Sequence, residues 1–119
     1  MAQHKGLFAL TKTFTTANTT SFQIGYLPPN AYITDIKVFV TTDFTDGVLD
    51  IGNASTAAKY ANDTSLNGTG KKTVTQAGAT WGNIESTTNQ TEIKGIVVFT
   101  STAPSSGSGK VIVEYAYGE

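Results

Sequence analysis

The sequence predicts an all-β chain, an antiparallel β-sandwich of jelly-roll-like form with about seven or eight strands and at most one short helix. Three observations carry this. Segments of alternating apolar and polar residues recur, and turn-forming residues separate them about every ten positions. Thr, a β-branched residue suited to a pleated strand, is abundant. Charged residues are only 14% of the chain, so long helices lack their usual Glu and Lys. The 119 residues make one domain, with a short N-terminal arm at residues 1–5 and no internal repeat or composition break.

The organising stretch is Tyr26–Asp50, YLPPNAYITDIKVFVTTDFTDGVLD. It reads as a stiff turn, a long strand, a second turn and a return strand. The prolines of Leu27-Pro28-Pro29-Asn30-Ala31 cannot donate to a ladder, and they restrict the residues before them. Strand 31–42 follows, with Tyr32, Thr34, Ile36, Val38 and Val40 on one face. Ala31, Ile33, Asp35, Lys37 and Phe39 take the other. Asp46-Gly47 closes the turn 43–47, and 48–51 is the return strand.

The remaining elements are read in order. Residues 5–16 form a first strand, with Phe8, Leu10 and Phe14 on one face and Lys12 as the exception. A turn at 17–20 leads into a short strand at 21–27, with Phe22, Ile24 and Tyr26 in register. Residues 54–66, ASTAAKYANDTSL, fit either a short helix started by Ser55 or a plain loop. A turn at 67–71 precedes a short strand at 71–76. Residues 79–86, ATWGNIES, are read as another strand anchored by Trp81. Strand 91–102 is apolar on both faces, which places it centrally. A flexible loop at 103–109 leads to the last strand, 110–117, with Val111, Val113, Tyr115 and Tyr117 on one face.

Composition narrows the function classes. There is no Cys, so disulfides, thiol catalysis and Cys-based zinc sites are excluded. Arg is absent, and Lys71-Lys72 is the only adjacent basic pair. Nucleic-acid binding is therefore not expected. The longest apolar run near the N-terminus, Gly6–Leu10, is too short for a signal-peptide core or a membrane span. The expectation is synthesis in a cytoplasm, without export by the general secretory route. Asn-x-Ser/Thr triplets at Asn18, Asn53, Asn62, Asn67 and Asn89 follow from the Thr content, not from glycosylation.

No catalytic signature is present. His4, the single histidine, lies in the arm with nothing to orient it as a base or ligand. Asp43, Asp46 and Asp50 surround the 43–47 turn and offer oxygen ligands to a calcium ion. Their spacing matches no calcium loop, and Asp commonly closes turns with its own side chain. Among Glu85, Glu92 and Glu114 no facing pair suggests glycoside hydrolysis. The chain is expected to be no enzyme and to need no cofactor or metal. Trp81, Tyr26, Tyr32, Tyr60, Tyr115 and Tyr117 are the rings available for a binding surface. Core packing is the ordinary role for Trp81, while Tyr115 and Tyr117 suit a sheet face covered by another subunit.

LPPNAYITDIKVFVTT, DFTDGVLDIGN and the closing GKVIVEYAYGE together resemble small virion proteins of tailed bacteriophages, of the capsid decoration or cement type. In that family a Leu-Pro connector leads to a long strand, a Gly-containing turn and an Asp-Ile-Gly strand. These stretches cover about a third of the chain; residues 54–90 match only in their looseness. The resemblance implies a jelly-roll-like subunit of the virion that bridges major capsid proteins and acts as a homo-oligomer, such as a trimer. It brings no catalytic residues. Contact residues expected on this basis are His4, Leu7, Tyr60, Trp81, Tyr115 and Tyr117, with the arm 1–7 and the loop 103–109 free to reach a neighbour. The alternative is a carbohydrate- or receptor-binding module of a head or tail fibre, using Trp81 or Tyr60 on a sugar ring. Capsid, tail or fibre position, the oligomeric state, the host, and whether an ion is bound near Asp43, Asp46 and Asp50 are left open by the sequence.

Overall fold

The computed structural model describes residues 8–100 and 103–117. Eight strands run in the order β1 (Phe8–Thr15), β2 (Phe22–Leu27), β3 (Ala31–Thr42), β4 (Val48–Gly52), β5 (Ala61–Ser65), β6 (Gly70–Lys72), β7 (Thr91–Val98) and β8 (Ser108–Tyr117). They form two four-stranded sheets, β1-β8-β3-β6 and β2-β7-β4-β5. The pairing has a simple logic. β1 pairs with β8, β2 with β7, β3 with β6 and β4 with β5, all antiparallel. The chain is thus one long hairpin of four-strand arms. Rolling it up adds the β3–β8 and β4–β7 pairs and gives the jelly roll.

The core lies between the sheets. Ile36, Val38, Val40, Val111 and Val113 enter from one sheet, and Leu49, Ile51, Ile93 and Val97 from the other. Each such side chain contributes roughly 1.5–3 kcal/mol on burial. Phe14 of β1 stacks on Phe22 of β2 at 6.2 Å and on Phe44 of the β3–β4 turn at 5.6 Å. That row of rings joins the two layers where the edge strands meet. β3, β8, β4 and β7 are the inner strands, in keeping with the central place that the sequence gives to strands 31–42 and 91–102.

Two bulges correct the faces expected from strict alternation. The β3–β8 register shifts between Ile33 and Asp35, so Ala31 and Ile33 join Ile36, Val38 and Val40 inside. Tyr32 and Thr34, expected on the core face, point away from it. A second shift between Gln23 and Gly25 buries Ile24 and Leu27 and leaves Tyr26 43% exposed. An extra residue in one strand reverses every side chain beyond it.

Residues 54–66 hold no helix; their second half is β5, whose inward residues are Ala61 and Thr64. The strand expected at 79–86 is absent. That segment is a series of turns, with a single bridge between Gln76 and Ala61 just before it. Long-range backbone bonds hold it, from Ala77 N–H just before it to Tyr60 O and from Gly82 N–H to Ile33 O, and not a ladder. In the loop 103–109, Gly107 packs on the core, where a Cβ would fall 2.5 Å from Phe44.

Lys12 explains its own exception to the pattern. It lies opposite the buried Val111, on the core-facing side of edge strand β1, yet is exposed. An inward-pointing charge on an edge strand obstructs pairing with the edge of another sheet.

Candidate functional site

The six residues expected to make contacts fall into three groups. His4 and Leu7 lie outside the described residues. Tyr60 is a correction: it is fully buried, so its ring is not available to a partner. Its hydroxyl accepts from the Asn53 side chain at 3.5 Å. Burial first, and the neighbouring Glu85 second, push that hydroxyl well above the ordinary tyrosine range. The sequence hid this role because Tyr60 stands alone after an Ala-rich loop, with no alternation to assign it a side.

Trp81 is half-buried against Tyr60. Its indole N–H donates to Tyr60 O at 2.9 Å, and its backbone N–H donates to the Gln76 side chain at 2.8 Å. Nearby, Lys59 pairs with Glu85 at 3.0 Å. These bonds tie the 76–86 segment to β5 and the core. Neither Tyr60 nor Trp81 therefore forms the open aromatic platform that a sugar ring needs.

Tyr115 and Tyr117 do form a group, joined by a residue read only as part of the first strand's face. Phe8 stacks on Tyr115 at 5.6 Å and on Tyr117 at 5.2 Å. These rings continue the inner face of β1 and β8 at the end where β3 begins, since Phe8 lies opposite Tyr115 and Ala31 opposite Tyr117. There the second layer leaves them partly open: Phe8 is 39% and Tyr117 42% exposed. Burial, with Tyr117 beside it, pushes the Tyr115 hydroxyl up. Ile84 and Val98 are further exposed apolar side chains, on the 76–86 segment and the outer face of β7.

The three aspartates of the β3–β4 region do not converge. Asp43 Oδ1 accepts the backbone N–H groups of Thr45 at 2.8 Å and Gly68 at 2.6 Å, which holds its carboxyl below the usual range. Asp46 accepts from the Thr100 hydroxyl, and Asp50 from the Asp63 N–H. Each carboxylate fastens a separate loop. Among the described residues, no group of three or more His, Asp or Glu is placed to hold a metal ion. Among the same residues, no helix is long and apolar enough to cross a membrane.

No protein-family model matches the chain. No curated protein matches it by sequence. Solved structures do. The fold is similar to a chain of the cyanophage Pam1 capsid asymmetric unit, with a TM-score of 0.68 and 18% identity over 95% of this chain and 84% of that one. It is also similar to a chain of the acid-stable capsid of Helicobacter pylori bacteriophage KHP30, with a TM-score of 0.62 and 13% identity over 98% and 94% of the two chains. At these identities the likeness establishes the shared sandwich fold.

Proposed function

We propose that this chain is a structural protein of a bacteriophage virion, a decoration subunit that bridges major capsid proteins and stabilises the head. The supporting observation is the match of fold over nearly the whole of both chains to components of two phage capsids. The work of such a subunit is contact, not chemistry. The partly open stack of Phe8, Tyr115 and Tyr117 supplies apolar area for it, and Ile84 and Val98 add to that area. Many copies, each held weakly, give a tight layer by multivalency. A homotrimer set over neighbouring capsid subunits is the assembly this reading favours, with His4 and Leu7 as arm contacts.

The test is a phage lacking the gene. Its particles should lose infectivity at a lower temperature than the parent's, and purified protein added back should restore resistance. Particles of unchanged stability, to which added protein does not bind, would refute the proposal.

A further inference from the structure

The net charge of −1 conceals an uneven distribution. The strands of the β1-β8-β3-β6 sheet carry Lys12, Lys37, Lys71, Lys72 and Lys110 against only Asp35 and Glu114. The strands of the other sheet carry Lys94 alone against Asp50, Asp63 and Glu92. Asp46 adds an acid at the Val48 end of that sheet, bound by Thr100 at 3.2 Å.

Strand register places Lys37, Lys71, Lys110, Asp35 and Glu114 on the outer face of the first sheet, while Lys12 and Lys72, opposite the buried Val111 and Val38, lie on its inner side. Phe39 lies directly opposite Lys110 on β8 and Lys71 on β6. All three point to solvent, because their neighbours Val38, Val40 and Val111 are buried. Lys37 on the same face is neutralised by Glu114 at 3.0 Å, and that hydrogen bond raises its pKa. Lys71 and Lys110 are exposed and have no ion-pair partner among the described residues. On the other sheet, Asp50 lies opposite Ile96, and Val48 opposite Val98, which is 40% exposed. Asp63 adjoins Asp50, to which its N–H donates at 2.7 Å. Glu92 and Lys94 stand 4.0 Å apart and cancel.

Each outer face therefore carries apolar side chains with charges set among them. One has Phe39 and Ile112 beside Lys71 and Lys110. The other has Ile96, Val48 and Val98 beside Asp50, Asp63 and Asp46. We propose that copies of this chain associate head to tail, the outer face of the β1-β8-β3-β6 sheet of one against the outer face of the β2-β7-β4-β5 sheet of the next. A contact of this kind joins two different surfaces and closes into a ring or extends as a chain. The charges set orientation and encounter rate, and the apolar side chains supply the affinity. Edge-to-edge pairing competes poorly, because Lys12 guards β1. The contact needs no capsid, so its failure would leave the decoration reading standing.

Sedimentation of the purified full chain over a concentration series tests this. The wild type should self-associate, and raising salt from about 0.05 to about 1 M should weaken the association. Lys71→Glu with Lys110→Glu should weaken it at least about tenfold. Asp46→Lys with Asp63→Lys, reversing the other face, should do the same. The four changes combined in one chain should restore it, because the two faces have exchanged sign. Circular dichroism melts confirm that each variant is folded. A monomeric wild type, association unaffected by either pair, loss with one pair only, or no recovery in the combined variant would overturn the proposal.

Discussion

Replacing Gly109 by Ala inserts one methyl group where three strands meet. Gly109 of β8 faces Phe14 on β1 and Val40 on β3. A Cβ there falls 2.7 Å from the Phe39 carbonyl oxygen and 2.8 Å from Phe14 Cζ, where ordinary contact begins at 3.4 Å. The oxygen belongs to the backbone of an inner strand, so no rotamer change removes it. Overpacking of a close-packed core costs roughly 1–3 kcal/mol. The smaller chain entropy of Ala in the unfolded state returns at most about 1 kcal/mol. With backbone as an obstacle the upper part of the range applies, and the net loss is about 2 kcal/mol. At about 4 °C per kcal/mol for a chain of this size, the melting temperature falls by about 8 °C. Gly95→Ala is the control. Its three nearest obstacles all belong to the ring of Phe22, the closest at 2.7 Å, and that half-buried side chain can swing aside. Its cost should stay below about 1 kcal/mol, and Phe22→Leu should relieve it. Phe14→Leu should not rescue Gly109→Ala. Urea and thermal unfolding followed by circular dichroism measure all four variants. A Gly109→Ala protein within about 0.5 kcal/mol of wild type, or Gly95→Ala as the worse variant, would refute this packing argument.

Trp81→Phe removes the indole donor to Tyr60 O. That carbonyl keeps the Ala77 N–H at 3.0 Å, so urea unfolding should show a loss of only about 1 kcal/mol. Asp43 is held ionised by the backbone N–H groups of Thr45 and Gly68, so its folded pKa lies below its unfolded one. The stabilisation is complete above the ordinary Asp value of about 4 and is lost as pH falls through the folded value. Asp43→Asn should be less stable at neutral pH and should show a shallower decline in melting temperature on acidification. A decline as steep as in wild type would remove Asp43 as its source. Tyr117→Ser cuts into the partly open ring stack. It should leave stability within about 1 kcal/mol of wild type yet lower the amount of protein retained on particles.

Of the inner strands, β3, β7 and β8 were legible because each is long enough for alternation to show, and β4 because Asp46-Gly47 marks the turn before it. Strands 31–42, 48–51 and 110–117 were bounded to within a few residues, and the core residues Val38, Val111 and Val113 follow from them. Bulges were not legible. Nothing in Ile33-Thr34-Asp35 announces an extra residue, and it reversed the faces of Tyr32 and Ile33. β5 was missed because ANDTS is polar and short; its place is set by pairing with β4, not by its own propensity. The segment 79–86 misled in the opposite sense. Trp81 and Ile84 suggested a strand, but long-range hydrogen bonds to Tyr60 and Ile33 fix it as turns. Of the candidate contact residues, Tyr115 and Tyr117 came from strand periodicity. Their union with Phe8 depends on the β1–β8 register, which one strand alone cannot show. The split of charge between the sheets has the same origin: Lys71 and Lys110 stand 39 positions apart and meet across Phe39 only through two strand pairings.

Mass spectrometry of purified virions, with imaging of the same particles, addresses the role of the molecule most directly. On the proposed role, the chain should be present in tens to hundreds of copies per particle (on the order of the number of capsid subunits), as sandwich-shaped density on the outside of the head. Particles that contain none of it, with the protein recovered only from the soluble lysate, would contradict the account.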